Sequence, residues 1–323
     1  MKLIGRDKEV QEIDDLILTW QMGLHPGGAP IGNFLLAGPS GSGKTRTVEY
    51  LADKYHGNAR SMVKIDCGEF QLEHEVAKLI GAPPGYLGHR ETTPILTQQK
   101  INGCTSERCG VCFVLFDEIE KAAGSMQRLL LGVMDKAQLK LGDNTVCNFE
   151  KCVIFFTSNL GTKGLFQKNM YDIAPSEKTA VKDSEIAAAI RGYFSTEFRN
   201  RLTNIFYYHP LDERECREVV GAELDMLGDR WARDLICVAE FDASLRDAIF
   251  ERGYSREFGG RELKRTITRD VTVPLARHIR DAMGGRSVRG LRFRLGWNGA
   301  LTIEVLEENV VAASAATGRK LRK

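Results

Sequence analysis

The eight residues Gly38-Pro39-Ser40-Gly41-Ser42-Gly43-Lys44-Thr45 constrain this chain more than any other stretch. They fit the spacing G-x-x-x-x-G-K-[ST], and they stand between an apolar run, Phe34–Ala37, and a helical pattern from about Gly43 to Tyr55. A glycine-rich loop between a strand and a helix lets backbone N–H groups curl around phosphates, where the helix N-terminus also favours negative charge. Lys44 is then placed to reach the β- and γ-phosphates, and the Thr45 hydroxyl to bind Mg²⁺. ATP with Mg²⁺ is the expected cofactor. A glycine-rich turn that binds nothing has no need of the strand before it and the helix after it.

Further apolar runs follow at Met62–Cys67, Cys112–Phe116, Val153–Thr157 and Asn204–Tyr208. Continuous apolar strands alternating with helical patterns predict an α/β domain, with a parallel sheet flanked by helices. The pattern changes after Pro210. Asp212 with Glu215 reads as a capping box that opens a long helix. Helical periodicity continues to about Met283, with breaks at Gly253 and Gly259-Gly260. Leu291–Leu295 and Leu301–Leu306 flank Gly296-Trp297-Asn298-Gly299, which predicts a hairpin. The expected organisation is a large domain over 1–209, a smaller, mostly helical domain over 210–308 ending in a β-hairpin, and a disordered tail over 309–323.

Val114-Leu115-Phe116-Asp117-Glu118 is an apolar strand that ends in two carboxylates. Beside a phosphate loop, such a strand end can hold an aspartate on the Mg²⁺ shell, and the adjacent glutamate can polarise an attacking water. Two surface acids capping the next helix would be the plain reading without that loop.

Composition excludes several classes. The chain has 323 residues, 45 of them Lys or Arg and 43 Asp or Glu, for a net charge of +2, so charge alone does not imply nucleic acid. The opening MKLIGRDKEV has no apolar stretch behind its lysine and does not read as a signal peptide. The most apolar run, Val111–Phe116, is too short to span a membrane. Eight cysteines spread over this length do not form a secreted disulfide scaffold, so a cytoplasmic protein with reduced thiols is expected. Cys109 and Cys112 have the spacing of half a zinc knuckle, with Cys104 nearby. No second C-x2-C accompanies them, and ordinary thiols are the expectation.

Taken together, GPSGSGKT (38–45), GAPPGYLG (81–88), VLFDEIEK (114–121), FFTSNLG (155–161), FSTEFRNRLTNIFYYHPL (194–211) and GYSREFGGRELKR (253–265) resemble the Clp unfoldases of the AAA+ class. Within that family the likeness is to the second ATPase module of ClpB and ClpA, and it runs from about residue 3 to 306. The resemblance implies a phosphate-loop AAA+ domain followed by a helical small domain, with ATP between them. It assigns Asp117 to the magnesium site, Glu118 to catalysis and Asn159 to the first sensor near the γ-phosphate. Arg201 matches the arginine finger that acts at a neighbouring subunit's site, with Arg199 as the competing candidate. Arg261 matches the second sensor on the small domain, and Ile4-Gly5 the stretch lining the adenine pocket.

The glycine-flanked Tyr86, followed by Leu87, matches the loop that grips polypeptide in the axial channel. An aromatic side chain there offers a large, sequence-tolerant contact. The implied partners are copies of the chain itself, in a homo-hexameric ring, and polypeptide clients, without a membrane or nucleic acid. Departures from the family are also plain. The chain opens almost directly at the ATPase module, so it reads as a standalone motor or a fragment, and Met1 fits the former. Lys163-Gly164-Leu165-Phe166 does not match the loop that docks a ClpP-type peptidase, so that partner is not expected. The polar stretch Gln167–Val181, containing Pro175, is expected to be a mobile loop. Two alternatives stay open at this point: a motor acting on nucleic acid, and an assembly protein that uses nucleotide only to hold a ring.

Overall fold

The structure is a computed structural model that describes residues 2–81, 94–162, 175–235, 237–255, 258–282 and 291–308. The packing of the backbone divides the chain into two units, Leu3–His209 and 210 onward.

In chain order the strands of the first unit are β1 (Gly32–Ala37), β2 (Val63–Asp66), β3 (Cys112–Asp117), β4 (Gln138–Lys140), β5 (Val146–Asn148), β6 (Cys152–Ser158) and β7 (Asn204–Tyr207). Five of them form one sheet in the order β2-β3-β6-β1-β7, and every pairing in it is parallel. All residues of β1 and β6 are buried. A strand covered on both faces has no polar face to show, which is why these runs lack alternation in the sequence.

The alternation appears instead in where each side chain packs. Phe34, Leu36, Phe113, Leu115, Val153 and Phe155 join one apolar cluster, whereas Leu35, Val114, Phe116, Ile154 and Phe156 join another. Helices α1 (Asp7–Gln21) and α2 (Lys44–His56) cover the first face through Ile13, Ile17, Val48 and Leu51. Two short helices, α3 (Val76–Ile80) and α4 (Gln98–Gly103), come next in the chain. Together with α5 (Gly124–Lys136), α6 (Pro175–Tyr193) and α7 (Thr196–Asn200), they contribute side chains to the second face. Phe34 stacks on Phe155 and Phe206 with ring centroids 5.7 and 5.3 Å away. Full burial of one such ring stabilises the fold by about 1.5–3 kcal/mol.

In this unit two features differ from the sequence reading. Part of the stretch expected to be a loop, 167–181, is helical, because α6 begins at Pro175. Proline suits a first helical position, since its fixed φ is already helical and its missing N–H would have no intrahelical partner there. The small antiparallel ribbon β4–β5 was not anticipated, its strands being only three residues each.

The second unit opens with α8 (Glu213–Leu235), then β8 (Val238–Phe241), α9 (Ala243–Gly253), α10 (Gly260–Ile267) and α11 (Val273–Ala282), and continues to β9 (Leu291–Trp297) and β10 (Leu301–Glu308). The capping box forms in both directions: Glu215 N donates to Asp212 Oδ1 at 2.7 Å, and Asp212 N donates to Glu215 Oε2 at 2.9 Å. The antiparallel hairpin β9–β10 pairs Trp297 with Leu301, and Gly299 in its turn has φ 73°. Strand β8 adds to this hairpin, parallel to β9. It was missed because four half-buried residues beside long helical patterns carry almost no periodicity. Among the described residues no helix is long and apolar enough to cross a membrane.

Candidate nucleotide site

A parallel sheet sends the loops after its strands out on one edge, and ligands of α/β folds bind there. Here β1 leads directly into Gly38, β3 ends in the Asp117-Glu118 pair and β6 leads directly into Asn159, on three adjacent strands.

The phosphate loop is shaped by its glycines. A Cβ built on Gly38 would lie 2.1 Å from the Tyr208 carbonyl oxygen, so only glycine allows this approach of two backbones. Gly41 and Gly43 have φ of 79° and 97°, in the left-handed region that L side chains rarely adopt. Ser42 Oγ donates to Pro39 O at 2.8 Å and braces the loop from inside, while Ser40 stays half-buried. Lys44 is buried, and its Nζ donates to Gly38 O at 2.6 Å, Pro39 O at 2.8 Å and Asn159 Oδ1 at 2.9 Å. Thr45 follows it, half-buried, in the first turn of α2.

The carboxylates come next along the edge. Asp117 Oδ1 accepts from Thr157 Oγ1 at 2.5 Å, and its Oδ2 lies 2.8 Å from Lys64 Nζ. Burial pushes the Asp117 carboxyl up. The hydrogen bonds from Lys64 and Thr157, with the charges of Lys64 and Lys44, outweigh that effect and hold it below the usual carboxylate range. Glu118 has left-handed backbone, φ 58° and ψ 51°, which is strained for a residue with a side chain. Its N–H donates to Thr157 Oγ1 at 2.9 Å, so one threonine hydroxyl touches both acids' residues. Glu118 Oε1 accepts from Asn159 Nδ2 at 3.4 Å, and Oε2 lies 2.5 Å from Lys121 Nζ. Asn159 is in turn held by its own N–H, which donates to Glu120 Oε1 at 2.9 Å.

Lys44, Asn159 and Glu118 therefore form one continuous line of contacts across β1, β6 and β3. The groups fit a nucleotide phosphate with a divalent cation. The loop is glycine-cleared, its lysine is buried against the loop's own carbonyls, and an aspartate held in its charged form lies at the end of β3, one strand beyond β6. Lys44 and the loop would take the phosphates, Thr45 and Asp117 the cation, and Glu118 would stand beside the water.

Other residues singled out from the sequence lie elsewhere. Ile4 and Gly5 precede α1, with Gly5 at φ 67°. Arg201 directly follows α7 as its C-cap, its Nη1 3.1 Å from the Glu197 carboxylate and its Nη2 3.7 Å from that of Asp135. Its carbonyl accepts from the buried Asn33 Nδ2 at 3.0 Å, which ties the end of α7 to β1. Arg199 Nη2 donates to Thr196 Oγ1 at 3.0 Å within the same helix. Arg261 is exposed in the first turn of α10. Tyr86 and Leu87 lie outside the described residues, as do Lys163–Phe166 and the tail 309–323. Cys109 and Cys112 pack into different apolar clusters, on opposite faces of the sheet, so the half-knuckle does not converge.

Lys64, Lys121, Thr157 and Glu120 were missed by sequence reasoning. The two-residue alternation of V-K-I-D in β2 is the signal that places Lys64 and Asp66 on one face. No comparable local signal marks Thr157.

Residues 29–205 match the family described as the AAA domain (Cdc48 subfamily), and residues 211–289 match the C-terminal, D2-small domain, of ClpB protein. The chaperone protein ClpB of Meiothermus ruber is 34% identical over 278 residues, which are 86% of this chain and 31% of that protein. The ClpB of Rhodopirellula baltica is 34% identical over 86% of this chain and 30% of its own length. The chain thus spans about a third of the length of these curated relatives. A cryo-EM reconstruction of Hsp104 with ATPγS and FITC-casein, in a closed state, shares the fold with a TM-score of 0.77 at 23% identity. That match covers 94% of this chain and 49% of the other. This chain belongs to the AAA family, as an AAA domain followed by a ClpB-type D2-small domain.

Proposed function

We propose that this chain is a magnesium-dependent ATPase that works as a homo-hexameric ring and uses hydrolysis to unfold, remodel or disaggregate polypeptides. The observation that carries this reading is the line Lys44–Asn159–Glu118, which joins a phosphate loop, a polar sensor and a carboxylate at one sheet edge. Bound magnesium supplies charge neutralisation on the phosphates. The chain's own groups do the rest. The loop's backbone N–H groups and Lys44 bind and orient the phosphates. Asn159 and Lys121 hold the Glu118 carboxylate in place, ready to take a proton from water.

Arg201 is the residue proposed to reach a neighbour's site, where a guanidinium stabilises charge developing on the γ-phosphate. Within one chain it is engaged by Glu197 and Asp135, so assembly has to exchange those partners. Arg261 is proposed to contact nucleotide, Ile4-Gly5 to line the base, and Tyr86 with Leu87 to grip the client. The ClpB relatives and the casein bound to Hsp104 support polypeptide as the client class.

The test is ATP hydrolysis by the purified chain with and without casein, beside Tyr86→Ala. Stimulation by casein that disappears in Tyr86→Ala is the expected result. Hydrolysis indifferent to both casein and Tyr86 would remove the threading reading and leave an ATPase with another client.

A further inference from the structure

We propose that Tyr208 is a positioning residue for the phosphate loop, acting through a buried hydroxyl pair with Thr47. This inference rests on the nucleotide-site reading above.

Tyr208 is fully buried and directly follows β7, and it touches both ends of the loop. At the first end, its N–H donates to Ala37 O at 2.7 Å, and its carbonyl oxygen occupies the space that a Cβ on Gly38 would need. At the other end, its hydroxyl lies 2.8 Å from Thr47 Oγ1, and Thr47 Oγ1 donates to Gly43 O at 3.2 Å. A threonine hydroxyl has one proton. With that proton directed at Gly43, the phenol is the donor to Thr47, and the sequence Tyr208–Thr47–Gly43 is fully satisfied. Burial pushes the phenol up to about 12, so it keeps its proton at neutral pH.

The ring has a third partner. The Arg6 guanidinium sits 4.3 Å from the ring centroid, and Arg6 follows Gly5 in the chain. One side chain therefore braces the loop's first glycine, the glycine that opens α2, and the segment next to Ile4-Gly5.

A buried hydroxyl costs free energy unless it is bonded, and a phenyl ring would fill the same apolar space without that cost. The hydroxyl's effect is thus to fix the first turn of α2 relative to β7. That turn carries Lys44 and Thr45, so its tilt sets where the phosphate-binding groups point.

The experiment is titration of a fluorescent ADP analogue into wild type, Tyr208→Phe, Thr47→Val, Thr47→Ser and the Tyr208→Phe/Thr47→Val double variant, with urea unfolding of each. Loss of one hydrogen bond predicts that Tyr208→Phe and Thr47→Val each weaken binding about 3–10-fold. The double variant should be no weaker than the worse single one, because both remove the same bond. Thr47→Ser, which keeps the hydroxyl, should restore binding. Affinity of Tyr208→Phe within twofold of wild type overturns the inference, and so do additive losses in the double variant. Thr47→Val and Thr47→Ser give the same decision should Tyr208→Phe fail to fold. A wild-type chain that binds no nucleotide overturns the site reading itself, a result separate from either.

Discussion

Lys44 and Asn159 share a hydrogen bond of 2.9 Å that ties the phosphate loop to the end of β6. The same asparagine reaches Glu118 at 3.4 Å through its amide nitrogen. One side chain thereby bridges the Lys44 ammonium and the Glu118 carboxylate. Replacing it removes both contacts, while the bonds of Lys44 to Gly38 O and Pro39 O and the Glu118–Lys121 pair stay in place. Asn159→Ala should therefore keep nucleotide binding within about threefold while hydrolysis falls ~100-fold, the scale of a lost acid–base arrangement. Nucleotide titration together with steady-state turnover checks both halves.

Lys64 occupies one oxygen of Asp117 at 2.8 Å, where a divalent cation would compete with it. Its side chain is 45% exposed, so the pair is screened and modest. In Lys64→Gln the magnesium concentration for half-maximal nucleotide binding should drop about two- to fivefold. The difference should narrow in high salt, which screens the ammonium's competition. A higher magnesium requirement in Lys64→Gln would mean that the lysine assists the metal site.

Gly38→Ala places a methyl group 2.1 Å from a backbone oxygen and 2.7 Å from the Tyr208 Cβ. Neither neighbour is a flexible side-chain end, so the strands must shift. Stability should fall by about 1–3 kcal/mol, the usual result of overpacking. A urea midpoint that moves while the slope stays constant is the expected signature.

Asp270 is buried between two arginines. Arg269 Nε donates to it at 2.8 Å, and Arg252 Nε does so at 2.8 Å. The hydrogen bond from Arg269 leads in holding its carboxyl below the usual range, against the opposing effect of burial. A carboxyl depressed in the folded state gives stability that is present above its unfolded value, about 3.9, and is lost as pH falls through the lower folded value. Asp270→Asn should cost about 1.5–3 kcal/mol at pH 7, the scale of a hydrogen bond to a charged group. The gap to wild type should close below pH 4. Urea unfolding of both proteins at descending pH measures it, and a gap constant with pH would show that the ion pairs do not contribute.

Several parts of the site were legible because they are contiguous. The phosphate loop carries its glycines, lysine and threonine within eight residues. Asp117 and Glu118 are adjacent at the end of an unbroken apolar strand. Asp212 and Glu215 announced the start of α8 by a three-residue spacing, and the hydrogen bonds follow that spacing. Asn159, Arg201 and Arg261 could be pointed to only by resemblance, since a lone asparagine or arginine has no local signature.

What the sequence determined by itself is local: the order of elements, the parallel sheet implied by unbroken apolar strands, and the chemistry of the loop that follows the first of them. What only the tertiary structure decided is which distant residues meet. Thr157 faces both acids because β3 and β6 are neighbours in register, and Lys64 reaches Asp117 because β2 pairs with β3. Tyr208 meets Gly38, Thr47 and Arg6 because β7 lies beside β1, although the two strands are far apart in the chain. The physical reason is the same in each case. Periodicity and motif spacing report which face of its own element a side chain occupies, whereas the partner across the sheet depends on strand order, which no single stretch of sequence encodes.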